Sequence, residues 1–174
     1  LLDPAGPLDP TSRAGLVNVL QAQVADRART VGRSGYRVAL EPGHYYWGSN
    51  GLVVERAVEL LTAFRTAGRP ELRDAGLDQL HYILGRNGLG KSFVTGLGTD
   101  PPSRPYHQPS LTHPRRLVLP GLLVGGPNAK GAGVTGRWPA RAYRDEDRLY
   151  GVNDPAIYWT AALAHALALV QAAP

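Results

Sequence analysis

Residues 86 to 153 carry no sustained helical or strand period, and they lie between segments that do. A stretch of that length without regular structure is uncommon in a compact domain, where it is either functional or disordered. Part of it, PPSRPYHQPSLTHP, has the composition of a disordered linker. The same stretch also holds Trp138, Tyr143, Tyr150 and the apolar block LVLPGLLVGGPN. Those residues suit a loop packed on a core, so an ordered functional loop is expected. Phe93-Val94-Thr95 and Leu117-Val118-Leu119 are too short to announce a sheet.

The flanking segments must supply that core. Residues 14–31 place Val17, Leu20, Val24, Ala28 and Val31 on one helical face, with Thr11 and Ser12 as candidate caps and Gly32 and Gly35 past the end. Residues 51–67 repeat the pattern through Val53, Ala57, Leu60, Leu61 and Phe64. Ser49 or Asn50 can cap that start, and Gly68 closes it. A third helix is predicted over 71–84, opened by Pro70 and Glu71 and carrying Leu77, Leu80 and Leu84 on one side. A fourth is predicted over 155–172, apolar nearly all round. That run is almost long enough to span a bilayer, but it is Ala-rich and contains Thr160, His165 and Gln171, so a buried helix is expected and no membrane span. The expected class is all-α with a long irregular loop region.

Composition narrows the chemistry. The formal charge is +5, supplied almost wholly by arginines scattered singly rather than in an aromatic-interleaved stripe, so no nucleic-acid partner is expected. The absence of cysteine excludes disulfides, thiolate zinc sites and cysteine nucleophiles. No histidine pair has metal-ligand spacing, so no metal is expected. Leu1-Leu2-Asp3-Pro4 does not read as a signal peptide.

Four blocks, HYYWGSNG, LHYILGRNGLGKSFVTGLGTDPPSRPYHQPS, PGLLVGGPNAKG and YRDEDRLYGVNDPAIYW, occur in an order that resembles glycoside hydrolase family 9. The resemblance covers roughly residues 40 to 170. It implies an (α/α)6 barrel, of which residues 1–174 would form a single partial domain, the C-terminal portion. It also implies inverting hydrolysis of β-1,4 glycosidic bonds by two carboxyl groups, without a cofactor. The family's base motif, Asp-Ala-Gly-Asp, is absent here. Asp74-Ala75-Gly76 continues as Leu77-Asp78 inside an amphipathic helix and does not supply it. The remaining N-terminal part of the barrel, or another copy of the chain, is therefore an expected partner, beside a β-glucan or related glycan. An extracellular or cell-envelope location is implied.

The resemblance places Tyr143, Asp145 and Tyr150 in the family's acid pattern, with Asp154 where the family has a glutamate. It also places Pro105-Tyr106-His107-Gln108 on a motif in which histidine and arginine grip the sugar. Tyr106 and Gln108 replace them, and Thr160 replaces a family asparagine after the retained Trp159. Candidate glycan contacts are thus Tyr106, His107, Gln108, Tyr46, Trp47, Tyr150 and Trp159. Asp145 is a supporting catalytic candidate, either as a displaced acid or, the favoured reading, by orienting neighbouring loop groups. Two roles stand open for Asp154. As the acid it must hold a proton. As the cap of a helix starting at Pro155 it would stay ionised, and the Asn153-Asp154-Pro155 run favours the cap. The altered residues leave two functions open: an endoglucanase-like hydrolase, or an inactive relative that binds glycan or serves structurally in the cell envelope.

Overall fold

The structure of the protein, a computed structural model, describes residues 6–131, 134 and 137–171. Leu1 to Pro4 and Ala172, the last residue of the predicted fourth helix, lie outside them. The described residues form α1 (Pro10–Arg33), α2 (Ser49–Ala67), α3 (Pro70–Ile83), α4 (Gln108–Thr112), α5 (Tyr150–Asn153) and α6 (Ile157–Gln171), with 3-10 turns at Pro42–His44 and Pro139–Arg141. No strand occurs among them; two isolated antiparallel bridges, Val94 with Leu123 and Val124 with Pro155, are the only β pairing there.

α1 begins earlier than its apolar period. Asp9, not Thr11 or Ser12, is the cap: its Oδ1 accepts from the amides of Thr11 and Ser12, both at 3.0 Å, and Pro10 takes the first helical position, where a missing N–H costs nothing. Only Val24, Thr30 and Val31 are buried on this helix, so it lies on the outside.

α2 is the central helix, packing against α1, α3 and α6. Leu60 and Ala63 join Val24, Val31, Leu72 and Ala75 in one apolar cluster between α1, α2 and α3. Val53, Val54, Ala57 and Leu61 face a larger cluster that takes in Tyr82, Phe93, Leu123, Val124, Tyr143, Val152 and Trp159. The long loop is thus a wall of the main core, as its apolar block suggested. It contains two short helices, α4 and α5, that periodicity could not reveal because neither reaches two turns.

Ser49 and Asn50 do not cap α2; Gly48 stands at the cap position at φ +81°. Their side chains reach into the loop instead. Ser49 Oγ donates to the Pro127 carbonyl at 2.7 Å, and Asn50 Nδ2 to that of Val124 at 2.9 Å.

α3 ends at Ile83, and its Asp74-Ala75-Gly76 run serves packing: a Cβ on Gly76 would meet Leu61 Cγ at 2.7 Å. Gln79, fully buried, accepts from the Ala39 amide at 2.8 Å and donates to the Ala75 carbonyl at 2.8 Å, tying the α1–α2 connection to α3. Asp78 pairs with Arg37 and Arg86, both at 2.6 Å.

α6 starts at Ile157, two residues after the predicted start, and it is not buried all round. Trp159, Leu163 and Ala166 face the core, while Ile157 is 87% exposed and Tyr158 and Leu167 are also open. Among the described residues, no helix is long and apolar enough to cross a membrane.

Replacing Asp78 by Asn should lower stability by about 1–3 kcal/mol, because charge-assisted bonds from two guanidinium groups are lost at a nearly buried oxygen pair. Glu59→Gln, at the half-exposed pair with Arg27 (3.2 Å), should cost less than about 1 kcal/mol. Urea denaturation of the intact polypeptide compares the two. Equal costs would contradict the importance given to Asp78.

Candidate active site

The segment 143–155 is held from both sides. Asn153 is fully buried. Its Nδ2 donates to the Arg104 carbonyl at 2.5 Å and to Asp145 Oδ1 at 3.0 Å, while its Oδ1 accepts from Tyr143 Oη at 2.6 Å. Asp145 also accepts from the Ser103 amide (2.7 Å), Ser103 Oγ (2.9 Å) and the Arg104 amide (3.0 Å). Burial alone would raise the Asp145 carboxyl, but these donors from Ser103, Asn153 and Arg104 outweigh it and hold it below the ordinary value. Asp145 is therefore an ionised anchor between loop 103–104 and α5, unsuited to act as a displaced acid.

On the other side, Gly125 N donates to the Asp154 carbonyl at 2.9 Å and Gly126 N to that of Val152 at 2.8 Å. Asn128 Nδ2 donates to the Gly151 carbonyl at 3.0 Å. Thr160 Oγ1 accepts from the Leu123 amide at 3.3 Å, so Thr160 is a tie to the same loop.

Asp154 differs from the sequence expectation. Its carboxylate caps no helix amide among the described residues: its backbone closes α5 in an extended conformation, and α6 begins three residues later. Pro155, bridged to Val124, belongs to the loop wall rather than to a first helical turn. The carboxyl group lies half-buried beside the Trp47 indole N–H. Burial raises its pKa, and the Trp47 hydrogen bond offsets this only in part. That is the environment of a carboxyl group able to keep a proton, the reverse of a cap.

Trp47 is half-exposed and meets Trp159 edge-on, ring centres 5.0 Å apart. Trp159, expected as a glycan contact, is 4% exposed and offers no open face; it supports Trp47 from the core side. The space for it depends on Gly51, where a Cβ would lie 2.2 Å from Trp159 Cδ1. Tyr46 is half-exposed with the Lys130 ammonium 5.9 Å from its ring centre. Trp138, expected to pack, is 58% exposed, with the Arg137 guanidinium over its ring.

Tyr106 and Tyr150 form a second aromatic pair, ring centres 6.1 Å apart, with Tyr150 well exposed. The Tyr106 amide donates to the Asn153 carbonyl at 2.9 Å, so this pair is fixed to the backbone next to Asp154. His107 shares a hydrogen with Ser110 Oγ at 2.8 Å, and Gln108 opens α4 in an exposed position. The structure therefore groups Asp154 with Trp47 and Trp159, and Tyr106 with Tyr150 alongside. Ser103 was not singled out from sequence, and Asn50 and Asn153 were read only as parts of helix starts; polar residues gave no further signal until their buried or paired partners were known. Among the described residues, no group of three or more His, Asp or Glu side chains could hold a metal ion.

Residues 12–167 match the profile of glycosyl hydrolase family 9. The chain belongs to that family. It is 37% identical over 125 residues to endoglucanase D of Acetivibrio thermocellus, a match covering 71% of this chain and 18% of that enzyme. It is 36% identical over 123 residues to a xyloglucan-specific endo-beta-1,4-glucanase of Bacteroides ovatus, covering 68% of this chain and 21% of that enzyme. A crystal structure of a metagenome-derived family 9 endoglucanase superposes with a TM-score of 0.86 at 37% identity, over 96% of this chain and 30% of that one. The fold is thus a portion of the family's (α/α)6 barrel, spanning less than a third of the length of these relatives.

Two outcomes test the split between the carboxyl groups. A carboxyl with a raised folded pKa binds its proton more tightly when folded. Its charge therefore opposes folding at neutral pH, and the penalty disappears below the unfolded value of about 3.9. Asp154→Asn, which keeps an acceptor for Trp47, should thus be as stable as the parent or more so at pH 7, with the difference closing below about pH 4. Asp145→Ala should instead lose about 1–3 kcal/mol at pH 7. Thermal melts across pH read both; a destabilised Asp154→Asn at pH 7 would contradict the raised carboxyl pKa.

Proposed function

We propose that this chain is the acid-bearing, C-terminal part of a family 9 glycoside hydrolase acting on β-1,4-linked glucan or a related polysaccharide. Asp154 is the proton donor to the glycosidic oxygen. The observation that carries this reading is the half-buried Asp154 carboxyl group, its pKa raised by burial, beside the half-exposed Trp47. A general acid needs that raised pKa. The endoglucanase relatives support the substrate class.

Trp47, Tyr106 and Tyr150 stack on the C–H faces of glucose units, and His107 contributes a polar contact. Asp145 positions the loop and takes no proton. The base belongs to the remaining part of the barrel, where a second carboxylate activates water on the opposite face of the sugar, about 6.5–9.5 Å from the acid. The exposed Leu16, Val19, Ile157 and Leu167 support a surface completed by that part or by another copy. Residues 1–174 then form one partial domain. General acid–base hydrolysis on two carboxyl groups needs no cofactor. A polymeric substrate that does not enter cells fits an extracellular or envelope location.

A second reading, a relative that binds glycan without turnover, is favoured by Tyr106 and Gln108. They replace a charged grip with a phenol and a neutral amide. Asp154 is also one methylene shorter than Glu.

The test is hydrolysis of a cellodextrin by the intact polypeptide. Turnover should fall at least about 100-fold in Asp154→Asn, while Asp154→Glu retains or raises it. Turnover unchanged in Asp154→Asn would overturn the acid assignment, and cellodextrin binding without turnover in the parent would establish the second reading.

A further inference from the structure

An open groove of about 670 Å3 runs beside the Asp154 segment, walled by Tyr106 and Tyr150 on the one hand and by Arg104, Arg116, Arg148 and Asp147 on the other. Asp147 is the one carboxylate in that lining, and it is already engaged. Its Oδ1 pairs with Arg104 Nη2 and its Oδ2 with Arg116 Nη1, both at 3.2 Å. Each guanidinium has five N–H donors, so Arg104 and Arg116 retain free ones. Arg148 is exposed and has no carboxylate partner among the described residues. Asp145, nearby in sequence, is not part of the lining; its oxygens accept from Ser103, the Arg104 amide and Asn153 and pair with no guanidinium group among the described residues. Arg116 is held at φ +46°, a backbone state that non-glycine residues adopt at a cost. The groove therefore carries a positive surplus next to an aromatic pair, and Tyr106 is bonded to the backbone adjoining Asp154.

We propose that this groove is a subsite for a uronic-acid unit, so that the glycan taken by this chain carries carboxylate groups. The inference rests on the glycan reading above and narrows its substrate class. A sugar ring lies against Tyr106 and Tyr150. Its carboxylate accepts from Arg148 and from the free donors of Arg104 and Arg116, the planar pairing that guanidinium groups make best. A neutral glucan fills the same aromatic face and leaves the positive charge without a counterpart.

The test is calorimetric binding of two probes of equal length to the intact polypeptide bearing Asp154→Asn: a β-1,4-linked glucuronic acid oligomer and a cellodextrin. At low salt the acidic oligomer should bind at least about tenfold tighter, with the advantage shrinking at high salt. Arg148→Gln should cut that advantage about tenfold. Equal affinity for the two oligomers, or an advantage that survives intact in Arg148→Gln, overturns the subsite and leaves the glycan reading standing. Failure of both oligomers to bind overturns the two together.

Discussion

The docking of residues 123–128 onto the N-terminus of α2 organises the rest of the structure. Asn50 is the hinge of that contact: its amide donates to the Gly125 carbonyl at 3.0 Å and its side chain to that of Val124. The approach is so close that a Cβ on Gly126, at φ +87°, would meet the Asn50 side chain at 2.2 Å. The same loop then uses its own amides to hold the carbonyls of Val152 and Asp154. One tight turn therefore joins the central helix to the segment that bears Asp154, and no sheet or disulfide is needed to fix it. The loop is irregular in dihedral angles yet as constrained as a core element, because its polar backbone is satisfied by buried side chains rather than by a ladder.

The site that results separates two carboxyl groups only nine positions apart in sequence. Asp145 is surrounded by donors and kept ionised; Asp154 is half-buried beside Trp47 with that single N–H partner and kept protonatable. Environments that push two carboxyls in opposite directions are how acid chemistry is assigned at near-neutral pH. Here the division has a structural cause. Asp145 precedes α5 and accepts directly from the 103–104 backbone and from Asn153, while Asp154 follows α5 and meets Trp47.

Much of the fold was legible in the chain. The period of residues 51–67 and 71–84 located α2 and α3, and the four blocks located the barrel family. What stayed hidden depended on contacts distant in sequence. Ser49 and Asn50 read as caps because capping residues and residues that clamp a remote loop are the same types. Asp154 before Pro155 read as a cap because local sequence does not show that Pro155 pairs with Val124. The outward face of α6 could not be told from a buried one, since an apolar surface intended for another segment looks like core until the fold shows what covers it. Candidate glycan contacts were found as residue types, but burial was needed to separate the open Trp47 from the covered Trp159.

The protonation of Asp154 is the point on which the functional reading turns, and it can be observed directly. Titration of its side-chain carboxyl carbon by NMR in the intact polypeptide, with Asp145 as the internal comparison, gives both midpoints in one experiment. Asp154 should titrate above the ordinary aspartate value of about 3.9 and Asp145 below it. A midpoint for Asp154 at or below that of Asp145 would contradict its role as a proton donor.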